Sequence, residues 1–298
     1  MEKSTSFRER GARRYVDILT NGGFKALFGD VNNKEAVMSI INVLLPEHRR
    51  VVDIDYQPTE HQGPVQGKNK EYHYDFMCRD VSGAVFIVEL QCYNEEHWFK
   101  RCVSYASRVY DRQNSRGKGY DIPPVYLIGL MGIDIGHEDP KFWEDRYISE
   151  YTFREKSSHE LLDETIVIIF AELARFSKNK DECVDDVDRM LYVLKNMGDL
   201  DHQPDWLHNE VYSRIFDACE IAGFTEDKRI KYDKDMYDEK RLQGEYAAYQ
   251  RMGLEAGLKE GRAEIIRSIH AKGISAAEIG RMLDMDVSEI ERILSENS

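Results

Sequence analysis

Two short apolar runs stand out along the chain, Tyr72 to Arg79 (YHYDFMCR) and Ala84 to Gln91 (AVFIVELQ), joined by Asp80-Val81-Ser82-Gly83. The first alternates, setting Tyr72, Tyr74, Phe76 and Cys78 on one face and His73, Asp75 and Met77 on the other. The second sets Glu89 and Gln91 on a common face, because strand side chains repeat every two residues. Together they predict a hairpin. A three-residue loop Val81-Ser82-Gly83, with Gly83 left-handed, pairs Asp80 with Ala84 and places Asp75 opposite Glu89. A two- or four-residue loop would put the two acids on opposite faces. Further β-branched, apolar runs predict strands at Val51 to Tyr56, Val125 to Leu130 and Thr165 to Phe170, with helical stretches between them. Residues 12–196 therefore read as a mixed sheet with helices on its faces. The polar stretch Gln57 to Asn69, with two Pro and two Gly, reads as a mobile loop beside the hairpin.

Beyond residue 196 the pattern changes. Residues 197–261 are polar and helix-prone, with Gly253, Gly257 and Gly261 four apart. In an isolated helix each glycine costs ~1 kcal/mol relative to Ala. This stretch is either a loose linker or a helix whose glycines permit close approach in a dimer. Residues 262–298 carry two tandem cap signals, Ser275-Ala276-Ala277-Glu278 and Asp286-Val287-Ser288-Glu289. The isoleucines and their neighbours (Ile265, Ile266, Ile269, Ile274, Ile279, Met282, Leu283, Val287, Ile290, Ile293) predict the core of a three-helix unit. Its last helix would expose Glu289 and Glu291 with Arg292 as the sole base, too few donors for reading nucleic acid, so it reads as a protein-contact module.

The chemistry suggested by the hairpin is that of a divalent cation. Two adjacent carboxylates on greasy strands repel and desolvate badly unless something cationic lies between them. The pattern resembles the active-site hairpin of the PD-(D/E)XK nuclease superfamily, and within it the branch of recombination-promoting nucleases and transposases in which Glu-x-Lys reads Glu-x-Gln, here Glu89-Leu90-Gln91. The branch's Thr-Asp-x-x-Phe-Lys-x-x-Phe-Gly stretch is matched by Thr20 to Gly29, with Asn21 where the pattern has Asp. Its basic and Tyr helix positions are matched by Lys100-Arg101, Tyr105, Tyr110 and Gln113, its Gly-x-x-Tyr by Gly117 to Tyr120, and its Phe-x-Glu-Leu by Phe170 to Leu173. The resemblance runs from about Tyr15 to about Phe176. It implies an α/β, restriction-endonuclease-like mixed sheet flanked by helices, with 197–298 as an α-helical C-terminal extension.

On this resemblance the expected activity is metal-dependent hydrolysis of DNA, in recombination or transposition. Asp75 and Glu89 would hold Mg²⁺ or Mn²⁺, with the Leu90 carbonyl as a further ligand, and Gln91 would place water or the scissile phosphate. His73 is a candidate supporting donor. The competing expectation is a nuclease-fold adaptor, weak or inactive in catalysis, acting through protein contacts of its acidic C-terminal part.

Charge cuts both ways. The chain's net charge of −14 disfavours DNA, and residues 199–298 hold 22 Asp and Glu against 14 Lys and Arg. Yet Phe99 to Lys118 holds six basic residues and one acid. At ~100° per residue, Arg101, Arg108, Arg112 and Arg116 fall within about 80°, with Phe99, Val103, Ala106 and Tyr110 expected on the opposing side. That face is a phosphate-contact candidate or a solvated helix face. The composition, 42% apolar and 32% charged, suits a folded soluble protein. There is no apolar run of membrane-spanning length, no signal-peptide pattern and no CxxC or Cys/His zinc cluster. Five cysteines argue against a disulfide framework. The expectation is a cytoplasmic protein whose partners are DNA and a second copy of itself as a homodimer, with no membrane contact.

Overall fold

The computed structural model describes residues 13–61, 72–114 and 119–296. The chain divides into two units, Met1–Met236 and Tyr237–Ser298.

In the first unit, α1 (Asn21–Phe28) and α2 (Lys34–Leu44) precede β1 (Ile54–Tyr56). Then come β2 (Glu60–His61), β3 (Tyr72–His73), β4 (Phe76–Asp80) and β5 (Val85–Gln91). They are followed by α3 (Trp98–Gln113), β6 (Val125–Met131), β7 (Ile148–Arg154) and β8 (Leu161–Ala171). The helices α4 (Asp186–Asn196), α5 (Glu210–Cys219) and the start of α6 (Glu226–Ala271) complete it. Six strands form one sheet in the order β1-β4-β5-β6-β8-β7, and β2 pairs only with β3. The strands β1, β4 and β5 are antiparallel, β5, β6 and β8 run parallel, and β7 returns antiparallel at the edge. The mixed α/β architecture expected from the strand pattern is therefore present.

The sheet has two unequal faces. One packs Phe76, Cys78, Phe86, Val88, Tyr126 and Ile128 against α1, α2, α4 and α5 in the main core. The other packs Met77, Val85, Ile87, Val125, Leu127 and Met131 against α3, the one helix contributing to this cluster among the described residues. These residues are buried on both faces, which explains why β5 and β6 read as unbroken apolar runs rather than alternating ones.

Several boundaries differ from the sequence reading. The strand expected at Tyr72 to Arg79 is broken at Tyr74 and Asp75. Tyr74 donates its N–H to Thr59 O (2.9 Å), joining the β2–β3 ribbon, and packs on Tyr105 with Met77 rather than sharing a face with Phe76 and Cys78. The strand β7 was not expected: it is a half-exposed edge segment, ISEYTFR, whose register to β8 shifts twice. The stretch expected as a polar linker from residue 197 contributes Leu207, Tyr212, Ile215, Phe216, Cys219 and Tyr232 to the main core. Of Gln57 to Asn69, only residues 57–61 are described.

The second unit contains the latter part of α6, α7 (Ala276–Leu283) and α8 (Val287–Ser295). Ser275 and Glu278 form the expected capping box, and Asp286 caps α8 through the Ser288 N–H. Ala263, Ile266, Ile279, Ile290 and Ile293 form its core. Ile265, Met282 and Val287, expected in that core, are exposed instead, because three short helical segments have too little facing surface to cover every apolar position. Among the described residues no atom from outside the local helix backbone comes within 4 Å of the vacant Cβ positions of Gly253, Gly257 and Gly261. Among the described residues no helix is long and apolar enough to cross a membrane.

Candidate active site

The site begins at the β4–β5 turn. Asp80 N–H donates to Ala84 O (3.0 Å), Gly83 N–H donates to Asp80 O (3.0 Å), and Gly83 takes φ +89°. This is the three-residue loop with a left-handed glycine. It fixes Arg79 against Val85, Cys78 against Phe86, Met77 against Ile87 and Phe76 against Val88. Counting one pair further sets Asp75 opposite Glu89, as the loop length predicts.

At that pair the ladder ends in a specific way. Hydrogen-bonded pairs alternate in an antiparallel ladder, so a continued β4 would offer Leu90 N–H the Tyr74 carbonyl. Tyr74 has instead turned away toward Thr59, and the Asp75 carboxylate takes its place: Leu90 N–H donates to Asp75 Oδ2 at 2.9 Å. Reciprocally, Asp75 N–H donates to Glu89 Oε1 at 3.1 Å. The bend that spoils the strand is thus what swings Asp75 across the end of β5.

Glu89 is 3% exposed. Burial pushes its carboxyl well above the ordinary range, and the neighbouring Asp75 pushes it further; the Asp75 N–H bond and the Arg101 charge oppose them. Protein atoms crowded around the Asp75 carboxyl raise its pKa as well, against the Leu90 N–H bond and the charges of Arg101 and Lys25. The Asp75 residue nonetheless keeps substantial solvent-accessible surface, so water offsets part of that desolvation and the greater displacement belongs to Glu89. Among the described residues neither carboxylate forms an ion pair, and both bonds they accept come from neutral backbone. A like-charged, unpaired couple with one member buried is what a hard divalent cation would balance.

The fit to such an ion rests on that donor set. Among the described residues there is no cluster of three or more His, Cys, Asp and Glu side chains able to hold a metal. Two carboxylates and a main-chain carbonyl suit Mg²⁺, which keeps several waters and completes its shell with substrate phosphate oxygens.

Gln91 is also buried, two residues along β5 on the side covered by α3. Its Oε1 accepts from Arg101 Nη2 (3.1 Å) and its Nε2 donates to the Tyr93 carbonyl, an arrangement that fixes which end of the amide is oxygen. Arg101 also ion-pairs with Glu95 and lies over the rings of Trp98 (4.6 Å) and Tyr105 (5.7 Å).

The helix α3 differs from its expected wheel. Its buried stripe is Trp98, Cys102, Tyr105, Ala106 and Val109. Arg101, Arg108 and Arg112 fringe one edge of that stripe rather than opposing it, while Phe99 and Val103, expected to be covered, are about half exposed. A single helix lies over this sheet face, so only one narrow stripe of it can be covered. Arg108 reaches Asp111 (3.5 Å) and the Tyr72 ring (6.0 Å), and Arg112 is exposed. Arg116 lies outside the described residues. His73 is exposed on β3, one residue before the break.

The motif around α1 serves packing and capping. Thr20 caps the helix through the Gly23 N–H (3.0 Å), Phe24 stacks on Phe28, and Asn21 and Lys25 face outward. Lys25 nonetheless contributes charge at Asp75. Glu172, from the Phe-x-Glu-Leu stretch, is fully buried and is held by His137 (2.8 Å) and Arg175 (2.7 Å), tying down the loop after β6. Sequence reasoning missed Glu95, whose only signal is its place one turn before the start of a helix that bears Arg101.

Compared with known proteins, the chain matches a family model described as "PD-(D/E)XK nuclease family transposase" over residues 19–243. No curated protein and no solved structure matches it significantly.

Proposed function

Because the chain belongs to the PD-(D/E)XK nuclease family transposases, we propose that it is a metal-dependent DNA endonuclease acting in recombination or transposition. The observation that carries this reading is the Asp75–Glu89 couple at the broken end of β4, a buried Glu89 beside a solvent-reached Asp75 with no ion pair to either among the described residues. Asp75, Glu89 and the Leu90 carbonyl would hold Mg²⁺ or Mn²⁺. When bound, the ion lowers the pKa of its water and offsets charge gathering on the phosphate.

The chain's own groups do the rest. The Leu90 N–H aims the Asp75 carboxylate, and the Asp75 N–H aims that of Glu89. Gln91 uses one amide N–H on Tyr93, leaving its second N–H as the donor for water or a phosphate oxygen. A neutral amide places but does not neutralise, so cleavage is slow compared with that of a lysine-bearing site. Arg101, Arg108 and Arg112 take backbone phosphates along the edge of α3, and Arg116, outside the described residues, belongs to the same proposed phosphate-binding set. Cytoplasmic residence and homodimerisation belong to the same proposal.

Supercoiled plasmid with and without Mg²⁺ or Mn²⁺ tests it. Wild type nicks only with metal, while D75N and E89Q do not nick; wild-type-like cleavage by D75N refutes the assignment. A nuclease-fold adaptor is the second reading, favoured by Asn21 and the net charge of −14. It predicts no nicking under any metal.

A further inference from the structure

Around Arg101, whose Nη2 holds Gln91, lies a cavity of about 210 Å³ lined by Tyr72, Glu95, His97, Lys100, Arg101, Ser104 and Tyr105. Its lining residues carry two permanent cations, an imidazole and three hydroxyls against one carboxylate. The guanidinium of Arg101 is shared between this cavity and the site, with Nη2 on Gln91 and Nη1 on Glu95. Its Nε is buried and has no hydrogen-bond partner, so the arginine's donors are not exhausted by the protein. Glu95 comes from the segment ahead of α3, is itself well exposed, and meets Arg101 as a single carboxylate oxygen.

We propose that this cavity is a subsite for a backbone phosphate of DNA next to the scissile one, and that Glu95 occupies its arginine in the free protein. The inference rests on the nuclease reading above and adds to it a defined phosphate pocket and the group that competes for it. The Nη1 end of Arg101 donates to a single carboxylate oxygen and can donate to a phosphate oxygen in the same way, so a phosphodiester oxygen can replace the Glu95 oxygen without moving the guanidinium off Trp98 and Tyr105. Lys100, His97 and Ser104 line the same space and supply the further donors a phosphate, unlike a lone carboxylate, can use. Glu95 departs toward solvent as phosphate enters. Each DNA molecule bound must therefore break one surface ion pair, which lowers affinity while leaving the pocket preformed.

The test is DNA binding without metal, read by fluorescence anisotropy of a labelled 20-base-pair duplex over a salt series, for wild type, E95Q, R101Q and E95Q/R101Q. E95Q binds on the order of 10-fold tighter at low salt, and its plot of log affinity against log salt steepens by about one unit, because Arg101 now exchanges a counterion for phosphate. R101Q binds more weakly, and adding E95Q to it changes nothing. Unchanged or weaker binding by E95Q, or the same gain with Arg101 absent, overturns the proposal. A second arm titrates inorganic phosphate alone into E95Q. Saturation at micromolar phosphate, with duplex binding no tighter, makes the cavity a small-anion site and overturns the backbone assignment. Plasmid nicking by wild type reports on the nuclease reading separately, since it requires no change at Glu95.

Discussion

The replacement Glu89→Gln separates a structural carboxylate from one kept for a cation. Glu89 is 3% exposed, its carboxyl is pushed up by burial and by Asp75, and Arg101 opposes this without touching it. The amide keeps the Oε1 acceptor for the Asp75 N–H, so the variant removes charge while preserving shape and the 3.1 Å bond. Leaving a buried polar group poorly compensated costs about 1–3 kcal/mol, and a charge costs more. E89Q should recover about that much, or roughly 2–12 °C in melting temperature for a unit of this size. The sign follows from linkage. A carboxyl whose folded pKa lies above its unfolded value stabilises fully below the ordinary carboxylate range and loses that stability as pH rises through the folded pKa. The gain of E89Q over wild type is therefore absent in acid and grows toward neutral and alkaline pH. Metal reverses the order. At 100 times its dissociation constant Mg²⁺ would add ~2.7 kcal/mol to wild type, but to E89Q only what its weakened binding permits. Calorimetric or fluorescence melts from pH 4 to 8, with EDTA and then Mg²⁺, read both effects. A variant less stable than wild type at pH 8 in EDTA would refute the reasoning, because the carboxylate would then have had a stabilising partner.

Three further outcomes follow from other parts of the structure. Replacing Gln91 by Ala should weaken metal-dependent nicking less completely than D75N does, and Q91K should match or exceed wild type because positive charge then meets the developing negative charge; Q91K and Q91A equally inactive would count against the positioning role. Replacing Arg108 and Arg112 together by Gln should weaken binding of unrelated duplexes alike and flatten the salt slope by up to about two units, with little change in melting temperature; an unchanged slope would make them ordinary solvated charges. G23A should destabilise the first unit by at least ~1–3 kcal/mol, since an added Cβ would stand 1.8 Å from the Asp17 carbonyl oxygen; a melting temperature like wild type would show that this tight approach can relax.

The hairpin was legible because its information is local. Loop length and one glycine fix the register, and register alone carries Asp75 to Glu89. The break at Tyr74 was not legible, because the alternating letters YHYDF continue through it. Its cause is a distant acceptor, Thr59, and the ring of Tyr105. The strand β7 escaped for a similar reason: an edge strand half in water has no apolar period to show. On α3 the arginines were correctly grouped with one another but set opposite the wrong neighbours. A wheel orders residues around an axis without saying which arc meets the sheet, and Trp98, Cys102 and Tyr105 take that arc.

The same break explains why the site needs so few residues. Had β4 continued, Leu90 N–H would have been satisfied by backbone and Asp75 would have remained a strand side chain beside Glu89, free to rotate. With Tyr74 diverted, the Asp75 carboxylate becomes the ladder's missing acceptor, and its orientation is set by main chain on both sides of the pair. Backbone N–H groups orient each acid without neutralising it, so the pair is positioned while its charge stays unbalanced. Gln91 follows the same logic one step along β5, its amide held by Tyr93 and Arg101. The positive charge that the neutral amide lacks stands instead on Arg101 of α3, which holds the amide oxygen and pairs with Glu95.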